Sequence, residues 1–157
     1  MLELEIQKVA KCEGPVPAES EIKSWVLAAL ADDAPARLLV IRLVDEGEAR
    51  ALNEAYRGIE RATNVLSFPA ALDPQTRELL QGQGAAEPMG DLVLCCPLVL
   101  KEAREQGKSA QAHWAHLIVH GVLHLSGYDH EEPGEAAQME AEETRILAHL
   151  GFPDPYL

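Results

Sequence analysis

The chain has 157 residues, 47% hydrophobic and 25% charged, which excludes a disordered or fibrous polymer and fits one domain over residues 1–157 with a substantial core. Aromatics make up only 4%, so that core must be largely aliphatic. A net charge of −13 argues against broad electrostatic binding of nucleic acid, yet residues 129–157 hold eight acidic side chains against Arg145 alone, and the first 68 residues, with eight basic and twelve acidic, leave room for a local basic patch.

Leu2, Leu4 and Ile6 alternate with Glu3, Glu5 and Gln7, which predicts a strand with one buried face. This start is acidic and unlike a secretory signal. The turn Glu13-Gly14-Pro15-Val16-Pro17 ends the strand, and Pro17 opens a helix whose apolar face is Ile22, Trp25, Val26, Ala29 and Leu30. Asp32-Asp33-Ala34-Pro35 breaks that helix. Residues 38–44 are apolar on both faces and read as a central strand. Asp45 with Glu48 resembles a capping box at the head of a helix of about three turns, carrying Leu52 and Tyr56 and stopped by Gly58.

A third strand is predicted over 63–68, ending at Pro69, and residues 71–88 read as an exposed loop. Gly90-Asp91, with Asp91 read as a turn residue, precedes a fourth strand over 92–96. Pro97 then starts a helix that Gly107 ends. The next helix, about 109–126, is apolar nearly all round and belongs in the middle of a domain. Met139, Ile146, Leu147 and Leu150 mark a last amphipathic helix. The apolar run over 92–100 is too short to span a bilayer. Cys12, Cys95 and Cys96 form no disulfide framework and read as small buried hydrophobes. The expected architecture is α/β, of the α+β type: a small mixed four-stranded sheet with about five helices, one long, central and apolar.

The chemistry concentrates in His120-Gly121-Val122-Leu123-His124-Leu125-Ser126-Gly127-Tyr128-Asp129-His130. Residues four apart share a helix face, so His120 and His124 can meet one ion. Gly127 lets the backbone leave the helix and bring His130 back. Three imidazoles with a fourth position open are the donor set of a catalytic zinc; nickel, copper or iron also accept imidazole. His113 and His116 share the stripe, but His116 lies eight residues from His124, about 12 Å along the axis, too far for both to bind one ion. They read as core or supporting residues. A lone histidine on a helix is usually an ordinary polar residue; this spacing of three is explained by one geometry. It matches the H-E-x-x-H-x-x-G-x-x-H pattern of metzincin proteases except that Gly121 stands where the general-base glutamate belongs, which demotes peptide hydrolysis.

The same segment resembles the signature of the YbeY family of bacterial ribosomal RNA maturation factors. Tyr56-Arg57-Gly58 leading to Thr63-Asn64-Val65-Leu66-Ser67-Phe68, and Gly90-Asp91-Leu92-Val93-Leu94, agree with that family in order and spacing, so the likeness covers about residues 50–130. One departure is Arg61-Ala62, where the family usually has Lys-Pro. The resemblance implies a single-strand endoribonuclease acting in maturation of 16S ribosomal RNA and in ribosome quality control. It implies one zinc per chain on His120, His124 and His130, and it matches Arg57 to the family's functional arginine. A guanidinium beside zinc makes physical sense, because it grips two phosphate oxygens and offsets developing charge.

Asn64 and Ser67 are candidates to line the cleft, although such side chains often satisfy backbone instead. Asp129 is a candidate to support the ligand next to it. The expected partners are single-stranded RNA, ribosomal RNA and the small ribosomal subunit, with no DNA and no membrane, and the expected location is cytoplasmic. Two other classes stay open: a non-catalytic ribosome-assembly factor whose zinc is closed by a fourth ligand such as Asp129 or Glu131, and a metallohydrolase of small molecules or peptides. No general base is evident, so either water or the RNA 2′-hydroxyl can be the attacking group.

Overall fold

The computed structural model describes residues 2–9, 11–31, 36–128 and 132–157. Its elements in chain order are β1 (Leu2–Lys8), α1 (Glu19–Ala29), β2 (Arg37–Val44), α2 (Glu46–Arg57), β3 (Val65–Pro69), α3 (Pro74–Gly82), β4 (Glu87–Cys95), α4 (Cys96–Glu105), α5 (Ala110–Leu125) and α6 (Pro133–His149). The strands form one mixed sheet in the order β1-β2-β4-β3. β1, β2 and β4 run parallel, and β3 pairs antiparallel to β4 at the edge. β2 is therefore interior, as an apolar run on both faces requires.

Alternation along the strands divides the core in two. Leu39, Ile41 and Leu43 of β2 and Leu92 and Leu94 of β4 pack beneath α1, α5 and α6. Val44, Leu66, Val93 and Cys95 face the other way and pack beneath α2 with Ala49, Leu52 and Phe68. Burying this aliphatic surface, at roughly 25 cal/mol per Å², supplies most of the folding free energy. Arg42 points to the α2 side, where its guanidinium grips Glu48 with two bonds of 2.9 Å.

That grip changes the expected capping box. Asp45 Oδ1 accepts from the Glu48 amide at 2.8 Å, but the Glu48 carboxylate goes to Arg42 instead of back to the cap. Half of the box forms. Gly58 ends α2 in the left-handed conformation (φ 71°), which a residue with a Cβ adopts at a cost.

Three expectations are corrected. Residues 71–88 are not a loop: they hold α3 and the start of β4. Asp73 caps α3 by accepting from the Thr76 amide at 2.7 Å, and Pro74 sits in the first turn, but α3 buries no side chain and so carries no apolar stripe to betray it. Asp91 lies inside β4 and is no turn residue. The strand begins at Glu87 and passes an irregularity at Gly90, whose φ is 140° and where any Cβ would lie 2.3 Å from the Phe68 carbonyl oxygen. Finally, Cys12 and Cys96 form a disulfide with Cα atoms 5.9 Å apart, closing 84 residues of chain; Cys95 alone is a free, buried thiol.

Candidate metal centre

The candidate centre is built on α5. Ser109 starts this helix by accepting from the Ala112 amide at 3.0 Å, and nine of its residues are buried against the sheet and neighbouring helices. His116, His120 and His124 occupy the remaining stripe and are half-buried. His120 and His124 thus lie one turn apart on one face. His130, the third expected ligand, and Asp129 and Glu131, the expected supporting or fourth ligands, lie outside the described residues. Among the described residues no group of three histidine, cysteine, aspartate or glutamate side chains is placed to hold a metal ion.

Gly121 faces the sheet. A Cβ built there would lie 2.6 Å from Leu92 Cδ2 and 3.1 Å from Leu92 Cδ1, and Leu92 is completely buried. The absence of a side chain at 121 therefore lets the histidine helix sit close on β4. This adds a packing reason to the observation that the position holds no glutamate.

The residue that sequence reasoning missed is Glu143. It lies on α6 with no exposed surface, and its carboxylate meets three groups. Oε1 is bonded to His120 Nδ1, Oε2 accepts from the Tyr156 hydroxyl, and His116 Nε2 stands 3.6 Å from Oε2 and 3.4 Å from the Tyr156 oxygen. Burial alone would raise the Glu143 pKa. The hydrogen bonds from His116, His120 and Tyr156 outweigh it and hold the group at about 2. Burial, reinforced by Glu143, pushes the Tyr156 hydroxyl well above its ordinary value, so it stays a donor. Tyr156 is delivered by a C-terminal segment anchored through Phe152, edge-on to Trp25 at 5.8 Å, and through the Lys108 ammonium donating to the Pro155 carbonyl at 3.0 Å.

A sequence signal for Glu143 exists. It falls on the apolar stripe of α6 between Met139 and Ile146, where an acid has no place unless it is partnered.

His113 is buried, and its Nε2 lies 2.9 Å from Glu102 Oε1. Burial pushes its imidazole below the ordinary value, against the opposing pull of Glu102. Asn64 is also committed to structure: Nδ2 donates to Glu102 at 3.0 Å and Oδ1 accepts from the Val65 amide at 2.7 Å. Ser67 sits opposite Leu92 in the edge strand, on the α5-facing side that alternates with Leu66 and Phe68.

Arg57 comes from the other side of that strand. It is exposed at the end of α2, and among the described residues it makes no side-chain hydrogen bond or ion pair. Tyr56 beside it is 59% exposed and rests edge-on against Phe68, with ring centroids 4.5 Å apart. α2 and α5 cover opposite faces of the sheet, and among the described residues no hydrogen bond or ion pair joins Arg57 to the histidine pair.

The donor chemistry fits zinc. Two imidazoles lie at helical i, i+4 spacing, and one of them is engaged at Nδ1 by a carboxylate, which would leave its Nε2 for a metal.

A family model described as Endoribonuclease YbeY matches residues 11–151. A relative from Halorhodospira halophila named Endoribonuclease YbeY is 51% identical over 156 residues, 99% of this chain and 96% of that one. One of the same name from Alkalilimnicola ehrlichii is 52% identical over 158 residues, 99% and 91% of the two chains. Another, from Pseudomonas putida, is 48% identical over 99% and 94%. The solution structure of a Thermotoga maritima protein covers 96% of this chain and 92% of its own at 22% identity, with a TM-score of 0.51, a likeness of fold.

Proposed function

The chain belongs to the endoribonuclease YbeY family, and on that premise we propose that it is a zinc-dependent endoribonuclease that cuts single-stranded RNA in the maturation of 16S ribosomal RNA and in ribosome quality control. The observation that carries the metal reading is the pair His120 and His124 on one face of α5, with His120 held by a buried carboxylate. His130 completes the proposed donor set. The small ribosomal subunit is the proposed partner and the cytoplasm the proposed location; among the described residues no helix is long and apolar enough to cross a membrane.

Zinc, when bound, supplies a Lewis acid for a phosphoryl oxygen and makes water a competent nucleophile near neutral pH. The chain's own part is to position and to balance charge. Arg57 offers a planar fork of donors that suits two phosphate oxygens, and it faces solvent uncommitted to any described acid. A strand of RNA lying along the β3 edge would meet Arg57 from one side and the histidines from the other. Exposed Tyr56 gives a ring on which a base can stack. Glu143 is fully buried and already bonded to His120 and Tyr156, so its carboxylate is committed to those side chains and not to an attacking group.

The test measures metal content and RNA cleavage on the same preparations of wild type, His120→Ala and His124→Ala. About one zinc per chain in wild type, lost together with cleavage in both variants, is the expected result. Cleavage retained at the wild-type rate in His124→Ala would refute the proposal.

A further inference from the structure

Glu143 belongs to no catalytic or ligand position considered so far, yet it is a fully buried carboxyl group. A buried carboxylate is expensive unless every lone pair it exposes is met, and here Tyr156, His120 and His116 meet it. The consequence falls on His120. Tyr156 already donates to one oxygen of this carboxylate, and the other oxygen is an acceptor for the imidazole nitrogen bonded to it. Nδ1 of His120 is that nitrogen, and a neutral ring protonated at Nδ1 has its lone pair at Nε2. Tyr156 supplies the second bond that keeps the carboxylate turned to His120, and the C-terminal segment that carries Tyr156 is tied to α1 through Phe152 and to Lys108 through the Pro155 carbonyl.

We propose that Glu143, held by Tyr156, is a positioning residue that fixes His120 as the Nδ1–H tautomer and aims its Nε2 at the metal. The inference rests on the metal reading of the proposed function. It assigns the last helix and the C-terminal segment a part in the site, although neither holds an expected ligand. The same carboxylate occupies His116, whose Nε2 is directed at Glu143 and Tyr156.

Full-length wild type, Glu143→Gln, Glu143→Leu and Tyr156→Phe test it with two readouts. The first is long-range 1H–15N NMR of the histidine rings in metal-free protein at pH 8, where an ordinary imidazole is neutral and the spectrum reports which nitrogen is protonated. The second is the zinc dissociation constant from chelator competition. His120 is expected as Nδ1–H in wild type and as a mixture in Glu143→Leu. Zinc binding is expected to weaken by ~10- to ~100-fold in Glu143→Leu and less in Glu143→Gln, which keeps an acceptor but no charge. Tyr156→Phe, which leaves the core intact, is expected to weaken it a few-fold and covers the case in which Glu143→Leu does not fold.

A residue that merely stabilised the fold would lower the melting temperature and move neither readout. An Nε2–H tautomer in wild type, or folded variants with wild-type tautomer and zinc affinity, overturns this inference alone. A wild-type protein that binds no zinc overturns it together with the metal reading.

Discussion

Gly121→Ala separates two accounts of the histidine helix. Intrinsic propensity alone makes alanine better than glycine in a helix interior by about 1 kcal/mol. The added methyl would instead meet Leu92 at 2.6 Å and 3.1 Å, and Leu92 is fully buried, opposite Ile41 in β2 and Ser67 in β3. Overpacking of this kind costs about 1–3 kcal/mol. The packing cost exceeds the propensity gain, for a net loss of about 1 kcal/mol, or about 2–4 °C of melting temperature in a chain of this size. Thermal and urea unfolding followed by circular dichroism measure it. Leu92→Val should partly rescue Gly121→Ala, with a coupling of about 1 kcal/mol between the two sites. Gly121→Glu, the residue of a zinc protease, should cost on the order of 4 kcal/mol or prevent folding, because it drives a carboxylate against β4. A rise in melting temperature for Gly121→Ala would refute the close helix–sheet contact.

Four further outcomes follow from the packing and ion pairs described above. Arg57→Ala should lower RNA cleavage by ~10²- to ~10³-fold with unchanged zinc content and melting temperature, since Arg57 is exposed and makes no hydrogen bond or ion pair among the described residues; Arg57→Lys should restore only part. His113 has a depressed imidazole pKa from burial, so as pH falls below about 6.5 the unfolded chain takes a proton that the folded chain resists, and stability is lost. Urea unfolding at pH 7.5 and 5.5 should show a smaller loss in His113→Gln than in wild type. Glu87 is buried and binds Arg37 at 3.0 Å and Arg77 of α3 at 2.7 Å, so Glu87→Ala should loosen α3 by roughly 1 kcal/mol and speed its amide exchange about fivefold without comparable change elsewhere. Denatured, unreduced protein should titrate one thiol and reduced protein three; three before reduction would exclude the Cys12–Cys96 bond.

What could be read from the sequence, and what could not, divides by the range of the interaction. β2, α2 and the histidine helix announce themselves because their stabilising patterns are local: an apolar run, a cap with a terminal glycine, and apolar residues at helical spacing. α3 lacks such a pattern, because what holds it is an N-cap and one ion pair to Glu87, and neither leaves a periodic apolar signal. The start of β4 was hidden by Pro88 and by Gly90, residues that usually interrupt a strand and here sit at an irregular register beside β2. Cys12 and Cys96 are 84 residues apart, and only the approach of α4 to the segment before α1 makes them partners.

The site divides in the same way. His120 and His124 follow from helical spacing, and Arg57 was found only through the family resemblance, since it shares no element with them. Glu143 lies 23 residues from His120 and on a different helix, so no spacing rule connects the two. Its position still carries information, because an acid on the buried stripe of an amphipathic helix has to find hydrogen-bond donors on whatever it packs against. α6 packs on α5, and the polar stripe of α5 is made of imidazoles. An acid that is buried there and accepts from an imidazole fixes the tautomer of the ring it touches. A charge misplaced on an apolar stripe is therefore a lead to the machinery that orients a metal ligand, even where the ligand and the charge are far apart in the chain.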